Sequence, residues 1–259
     1  MARRVNYDEI APIFDARYAS GAYNDLLRAL RGLVAARRPG RALEVGCGTG
    51  YWLEAIRDLV PGVIGLDYSL EMLRRARQKP EAGGLVRGTA EILPFRGAAF
   101  DLVFCVNALH HFGEIESFIK EARRLLRAGG VLAIIGMDPH HGRDSWCVYD
   151  YFPETKATDL RRYPSSGQIA DTMLRAGFDG VESRMDGRFG DSRVGLDVFN
   201  DPELRRNGCS QMTLLSDAEY AEGIERINAA LRDAPGGVPP VFKNEIAVML
   251  HCGHVAAPR

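Results

Sequence analysis

Between residues 41 and 137 the chain alternates short apolar runs with stretches of helical period. The runs are "RALEVG" (41–46), "VIGLD" (63–67), "GLVRG" (84–88), "FDLVFCV" (100–106) and "VLAIIGM" (131–137), each long enough for a strand. A helix is predicted over about 49–59, and the next opens at Ser69, with Glu71 in its first turn and Arg75, Arg77 and Lys79 late. That charge order suits the helix dipole. In "EIESFIKEARRLLRAGG" one face carries Ile115, Phe118, Ile119, Ala122, Leu125 and Leu126, and Gly129 is expected to end the helix. Strands separated by helices predict an α/β fold with a parallel sheet.

The alternation breaks after residue 137. Residues 138–164 are rich in aromatics, histidines and prolines. A helix then starts from a Ser165/Gln168 capping box, and "FDGVESRMD" (178–186) predicts a sixth strand. Residues 187–240 read as an insertion before the last strand, "FKNEIAVMLHC" (242–252). The insertion holds a helix with a Ser216/Glu219 box and Tyr220, Ile224, Ile227 and Leu231 on one face. Residues 8–37 predict one broken and one longer helix, interrupted near Pro12 and at Ser20–Gly21. The expected organisation is a single domain over 1–259. A helical cap (1–38) precedes a core (39–137), two lids follow (138–165 and 187–240), and a last strand with its tail (241–259) completes it.

Composition narrows the function. A net charge of -1 leaves no basic footprint for nucleic acid. No apolar run approaches the roughly 20 residues of a membrane span. The opening "MARRVNYDEIAP" lacks the apolar core of a signal peptide, and five scattered cysteines suit free thiols. A cytoplasmic protein is expected, with a homodimer one reading of its open oligomeric state. The "HCGH" segment (251–254) invites a zinc reading. Side chains on an extended strand alternate faces, however, so no metal is expected.

The stretch "LEVGCGTGYW" (43–52) places Gly46, Gly48 and Gly50 between the first strand and its helix. Such loops cradle dinucleotides, nucleoside triphosphates or S-adenosylmethionine. A dinucleotide loop wants a small residue where Tyr51 stands, and the Lys-Ser or Lys-Thr of a triphosphate loop is missing. Asp67, ending the second strand, has the spacing of a ribose-binding acid, which leaves dinucleotide and S-adenosylmethionine readings both open.

"LEVGCGTG" resembles the first motif of the class I S-adenosylmethionine-dependent methyltransferases, of the small-molecule, type 11 kind. "GTAEILPFRGAAFDLVFCVNALHHF" (88–112) and "LLRAGGVL" resemble later blocks of the same family in order and spacing. Thr89 stands where the family has an aspartate, and Ala128 where it has a proline. The resemblance implies a Rossmann-like, seven-stranded, mostly parallel sheet with helices on both faces and an antiparallel last strand. It implies S-adenosylmethionine as cofactor, with S-adenosylhomocysteine as product. By the same resemblance, Gly46, Cys47, Gly48 and Gly50 face the methionine part, and Glu44 orients the loop or the cofactor's amino group. Asp67 and Tyr68 bracket ribose and adenine, Met72 lies below the base, and Thr89, Ala90 and Glu91 line the adenine edge. Asn107 contacts the methionine part. In "NYDEIAPIFDARY" an aromatic, Tyr7, Phe14 or Tyr18, is placed to fold over the sulfonium.

Methyl transfer requires alignment and exclusion of water, and a base only where the acceptor must lose a proton. His110 and His111 follow the fourth strand, at the carboxyl edge of the sheet, and are the candidate catalytic pair. "MDPHHGRDSWCVYDYF" (137–152) reads as a lid offering His140, Trp146, Tyr149 and Tyr151 to the acceptor. "GCSQMTLLS" (208–216) reads as a second wall, with Cys209, Ser210 and Gln211. The acceptor is expected to be a small, partly apolar or aromatic metabolite, methylated on O, N or C. A nicotinamide oxidoreductase and a non-catalytic S-adenosylmethionine-binding regulator are the competing readings.

Overall fold

The five apolar runs become the parallel half of one sheet. The computed structural model describes residues 5–19, 21–79 and 83–257. Its strands are β1 (Arg41–Val45), β2 (Gly62–Asp67), β3 (Gly84–Arg87), β4 (Phe100–Val106) and β5 (Leu126–Gly136), then β6 (Ser145–Trp146), β7 (Asp179–Phe189), β8 (Arg193–Val194), β9 (Val241–Phe242) and β10 (Asn244–His254). The helices are α1 (Tyr7–Ile10), α2 (Asn24–Arg37), α3 (Tyr51–Ile56), α4 (Leu70–Gln78) and α5 (Ile115–Leu125), followed by α6 (Cys147–Tyr151), α7 (Pro153–Arg162), α8 (Ser166–Arg175), α9 (Ser210–Leu214) and α10 (Asp217–Arg232).

The sheet runs β3-β2-β1-β4-β5-β10, with β1 to β5 parallel. β10 lies antiparallel to β5 and also pairs antiparallel with β7. β4 reads as a continuous apolar run because both of its faces are covered: Leu102, Phe104 and Val106 join one core, Val103 and Cys105 the other. The Rossmann-like sheet with helices on both faces is therefore present, with β6 as an additional strand beyond the expected seven.

Three details differ from expectation. α5 stops at Leu125, because Leu126 already pairs with Phe100; Gly129, at φ 76°, shapes an irregularity within β5 and does not cap the helix. β7 runs on to Phe189. The segment read as the start of the last strand forms the separate β8–β9 ribbon, and β10 begins at Asn244. Both predicted capping boxes form, at Ser165/Gln168 and Ser216/Glu219. Ahead of the sheet, α1 passes at Ala11–Pro12 into a 3-10 helix ending at Tyr18. Of the second expected break, Ser20 lies outside the described residues, as does the "MARR" that opens the chain. No helix among the described residues is long and apolar enough to cross a membrane.

Candidate active site

β1 pairs with β2 on one side and β4 on the other, so chain order reverses there and leaves a crevice at the carboxyl ends of the strands. The loop leaving β1 fills the bottom of that crevice. Gly46 and Gly48 have φ of 76° and 52°, in the left-handed region that side chains resist. At Gly46 a Cβ would also lie 2.6 Å from that of Ala108. Asp67 holds the loop from the side: Gly48 N–H donates to Oδ2 at 2.7 Å, and Ser69 N–H to Oδ1 at 2.8 Å. Burial raises the Asp67 pKa, although those backbone donors oppose the shift. Ser69 caps α4 by accepting from Met72 N–H at 3.1 Å, and its hydroxyl donates to Asp8 at 2.5 Å.

Above the loop lies a cavity of about 690 Å³, within the range of small-molecule sites. Of the residues expected around the cofactor, Gly46, Cys47, Gly48, Asp67, Tyr68 and Met72 line it. Thr89, Ala90, Glu91, Asn107 and Tyr18 do so as well. Burial pushes the Cys47 thiol up, so it packs as a neutral group. Asn107 carries a positive φ of 49° while its N–H donates to Ile135 at 2.8 Å, a strained backbone position facing the cavity.

Two expected cofactor residues lie elsewhere. Glu44 is fully buried behind the loop, and neither carboxylate oxygen has a partner among the described residues. Burial, reinforced by Asp67, raises its pKa well above the usual carboxyl range, so it sits there as a neutral acid. Gly50 is the N-cap of α3; its missing Cβ lets α4 approach, since a Cβ there would be 3.2 Å from Ala76.

The other half of the cavity is walled by rings. Tyr18 stacks on Tyr51, with centroids 3.8 Å apart, and meets Tyr23 and Trp52 edge-on at 5.0 and 5.6 Å. Tyr23 in turn stacks on Phe189 at 5.2 Å. Of the expected acceptor residues, Trp146 and Gln211 line this half, with Cys209 and Ser210 beside Gln211. His140, Tyr149 and Tyr151 do not. His140 is exposed, and its Nε2 meets the Tyr163 carbonyl at 2.8 Å. Tyr149 is buried behind Trp146 and donates to Asp159 at 2.9 Å. Tyr151 packs on Phe242. Tyr149 and Tyr151 lie on α6 and turn to other partners, whereas Trp146, on β6 just before it, reaches the cavity.

His110 and His111 stand at the seam, with rings 3.8 Å apart. Each meets a tyrosine. Nε2 of His111 bonds the Tyr7 hydroxyl, and Nε2 of His110 bonds the Tyr163 hydroxyl at 3.0 Å. Burial lowers both imidazoles, His110 well below the usual range with His111 and Arg162 contributing, and His111 to about 3. Both are therefore neutral near pH 7. Tyr163 also accepts from Gln211 Nε2 at 3.3 Å, which frees its own proton for His110. Gln211 Nε2 donates in addition to Asp159 at 2.8 Å, completing a buried chain from α7 to His110.

Several lining residues had no sequence signal. Tyr163 precedes a capping box without belonging to it, and Phe189 ends β7 as an ordinary apolar residue. Glu203 sits in the short turn Pro202–Leu204. Arg17 lies inside the quoted "FDARY", where the aromatics carried the signal and the arginine carried none. Trp52, two residues past Gly50, was readable in principle from its place in the first turn of α3.

A methyltransferase-domain family model matches residues 43–134. The chain is 34% identical over 180 residues to a Mycolicibacterium smegmatis protein named "Probable S-adenosylmethionine-dependent methyltransferase", covering 65% of this chain and 69% of that one. It is 38% identical over 119 residues to the malonyl-(acyl-carrier protein) O-methyltransferase of Enterobacter lignolyticus, covering 43% of this chain and 46% of that one. The chain thus spans about half the length of the latter relative. Among solved structures, the YcgJ protein of Bacillus subtilis has the same fold, with a TM-score of 0.60 at 21% identity over 89% of this chain and 99% of that one. The chain belongs to the S-adenosylmethionine-dependent methyltransferases.

Proposed function

We propose that this chain moves a methyl group from S-adenosylmethionine to a small, ring-bearing acceptor by in-line displacement. One observation carries the reading: a single cavity runs from the Gly46–Gly48 loop and Asp67 to a wall of tyrosine, tryptophan and phenylalanine rings. The donor set suits the cofactor. The glycine backbone admits close approach, Asp67 offers carboxylate oxygens, and Met72, Ala90 and Phe112 give an apolar bed for a base. Bound there, S-adenosylmethionine supplies an electrophilic methyl on a sulfonium.

The chain's own residues then do three things. The N-terminal segment supplies Tyr7, Asp8, Phe14, Arg17 and Tyr18 to the cavity wall, and shielding a ligand there from water strengthens electrostatics inside. The rings orient an apolar acceptor, which converts encounter into alignment. The neutral imidazoles add no positive charge beside a cation. For an acceptor that must lose a proton, His110, which lines the cavity and bonds the Tyr163 hydroxyl, is the positioned proton acceptor on this wall, a weak base because burial lowers its pKa.

Calorimetric titration of the purified chain checks the cofactor, and transfer of label from methyl-labelled S-adenosylmethionine to a small-molecule extract checks the chemistry. Saturable binding of S-adenosylhomocysteine with labelled product is expected. Binding of NADH with none of S-adenosylhomocysteine would overturn the reading.

A further inference from the structure

Among the described residues of the ring-lined half, one permanent cation has no task in methyl transfer as so far derived. Arg17 lines the cavity near the end of the N-terminal 3-10 helix, its guanidinium 3.9 Å over the Phe14 ring. Two carbonyls aim it. Nε donates to Phe14 at 3.1 Å and Nη2 to Gly208 at 2.6 Å, while Nη1 has no partner among the described residues. Both acceptors are neutral, so they position the charge without cancelling it. No carboxylate among the described residues lies within 4.0 Å of it.

Glu203, on the same half of the cavity, acts on Arg17 through space but forms no ion pair with it, and its hydrogen bond goes elsewhere. It accepts the Tyr23 hydroxyl at 2.5 Å, in a turn pinned by Asp201, which accepts Glu203 N–H at 2.9 Å and Asn244 Nδ2 at 2.7 Å. A guanidinium keeps its charge in a protein, and a charge withdrawn from water without a counter-charge is costly. Trp146 supplies a second, independent sign. Its ring lines the cavity, it is 4% exposed, and its Nε1 has no partner among the described residues. Arg17 and Trp146 are donors only, so each calls for a ligand oxygen.

We propose that Arg17 anchors a carboxylate on the methyl acceptor, whose ring lies among Tyr18, Tyr23, Trp52 and Phe189. The acceptor is then a ring-bearing acid. This rests on the methyltransferase reading of the same cavity. The guanidinium lies over the Phe14 ring, which faces Gly48, and Nη2 is held by Gly208 of the insertion; that hold, beside Cys209, Ser210 and Gln211 of the acceptor wall, is the ground for placing the carboxylate on the acceptor. S-adenosylmethionine has a carboxylate of its own, so the test separates the two sources.

The whole chain, as wild type, Arg17→Met and Arg17→Lys, each checked by circular dichroism, is titrated calorimetrically. The first ligands are S-adenosylhomocysteine and 5′-methylthioadenosine, which lacks the amino-acid end. Protein saturated with S-adenosylhomocysteine is then titrated with phenylacetate and with phenethylamine. Phenylacetate should bind the wild type and phenethylamine should not. Arg17→Met should weaken phenylacetate roughly tenfold or more, the loss of one charge-assisted hydrogen bond, with any change in S-adenosylhomocysteine affinity shared by 5′-methylthioadenosine. Arg17→Lys should retain part of it, and carries the test if the Met variant fails to fold.

Weaker S-adenosylhomocysteine binding in Arg17→Met, with 5′-methylthioadenosine unaffected, assigns the carboxylate to the cofactor and overturns the proposal. So does phenethylamine binding in place of phenylacetate, which hands the anchor to Glu203. Phenylacetate that fails to bind, or binds the Met variant equally, overturns it too. Wild type that binds no S-adenosylhomocysteine overturns the methyltransferase reading beneath, a separate and recognisable result.

Discussion

The Tyr7 hydroxyl on α1 bonds Nε2 of His111, which follows β4 on the far side of the cavity. It is one of several ties that strap the N-terminal segment across the site. Ser69 donates to Asp8, Thr49 donates to Asp15, Lys79 pairs with Asp15 at 3.1 Å, and Arg17 reaches Gly208. Tyr7, Asp8, Phe14, Arg17 and Tyr18 of this strap line the cavity, so a bound ligand lies against it. Tyr7→Phe removes one tie and leaves a buried imidazole nitrogen unpaired, at a cost of about 1–3 kcal/mol to the closed state. Dissociation of S-adenosylhomocysteine, followed by stopped-flow fluorescence, should quicken by roughly fivefold or more. An unchanged rate would mean that the strap does not gate exit.

The neutral imidazoles give the second prediction. His111 in the fold takes a proton only near pH 3, whereas in the unfolded chain it does so near its ordinary value of about 6.5. Between these values the unfolded state binds more protons, so stability present above about pH 6.5 is lost as pH falls toward 3. The slope from this one residue is at most about 1.4 kcal/mol per pH unit. Buried acids with raised pKa, Glu44 among them, act in the opposite sense. The comparison of wild type with His111→Phe cancels them. Urea melts from pH 7 to 4 should show a shallower decline in the variant, and imidazole NMR signals of His110 and His111 should stay neutral down to pH 5.

Gly48 and Gly50 share a motif and a positive φ, and differ in what they face. An alanine in this conformation costs about 1–2 kcal/mol at either position. At Gly50 the added Cβ meets Ala76 at 3.2 Å, away from the cavity, whereas at Gly48 the nearest atom is Phe14 at 3.8 Å, inside it. Gly50→Ala should therefore lower the melting temperature and leave S-adenosylhomocysteine affinity intact. Gly48→Ala should lower both. Equal losses of affinity in the two variants would contradict the division.

That contrast also shows which features were legible in the sequence. Gly46 and Gly48 were, because the left-handed backbone they adopt and the strand-to-helix turn they make are local properties. Asp67 and Ser69 were, because a strand end and a helix cap follow from adjacent residues. The lid was not. Trp146, Tyr149 and Tyr151 look alike in the sequence, and only tertiary packing separates Trp146, on β6 and lining the cavity, from Tyr149 and Tyr151, on α6 and packed on Asp159 and Phe242. Arg17, Tyr163, Phe189 and Glu203 meet from four separate stretches of chain, and nothing local reports such a meeting. The facing of Glu44 was not legible for the opposite reason: its motif is local, but what packs behind the loop decides that it is buried there.

Asp159 supplies the last prediction, since it holds the acceptor wall together. It is fully buried and accepts Tyr149 at 2.9 Å, Gln211 at 2.8 Å and Arg162 at 2.8 Å. Asp159→Asn preserves shape but leaves Arg162 without its counter-charge, a loss of about 3 kcal/mol for a broken buried pair. Gln211→Leu removes one hydrogen bond to a charged group, about 1.5–3 kcal/mol, and unhooks Tyr163. The two changes share that bond, so the double variant should lose less than the sum of the singles by roughly 1 kcal/mol. Urea denaturation of the four proteins measures this directly. Strict additivity would mean that Asp159 and Gln211 contribute to the wall independently.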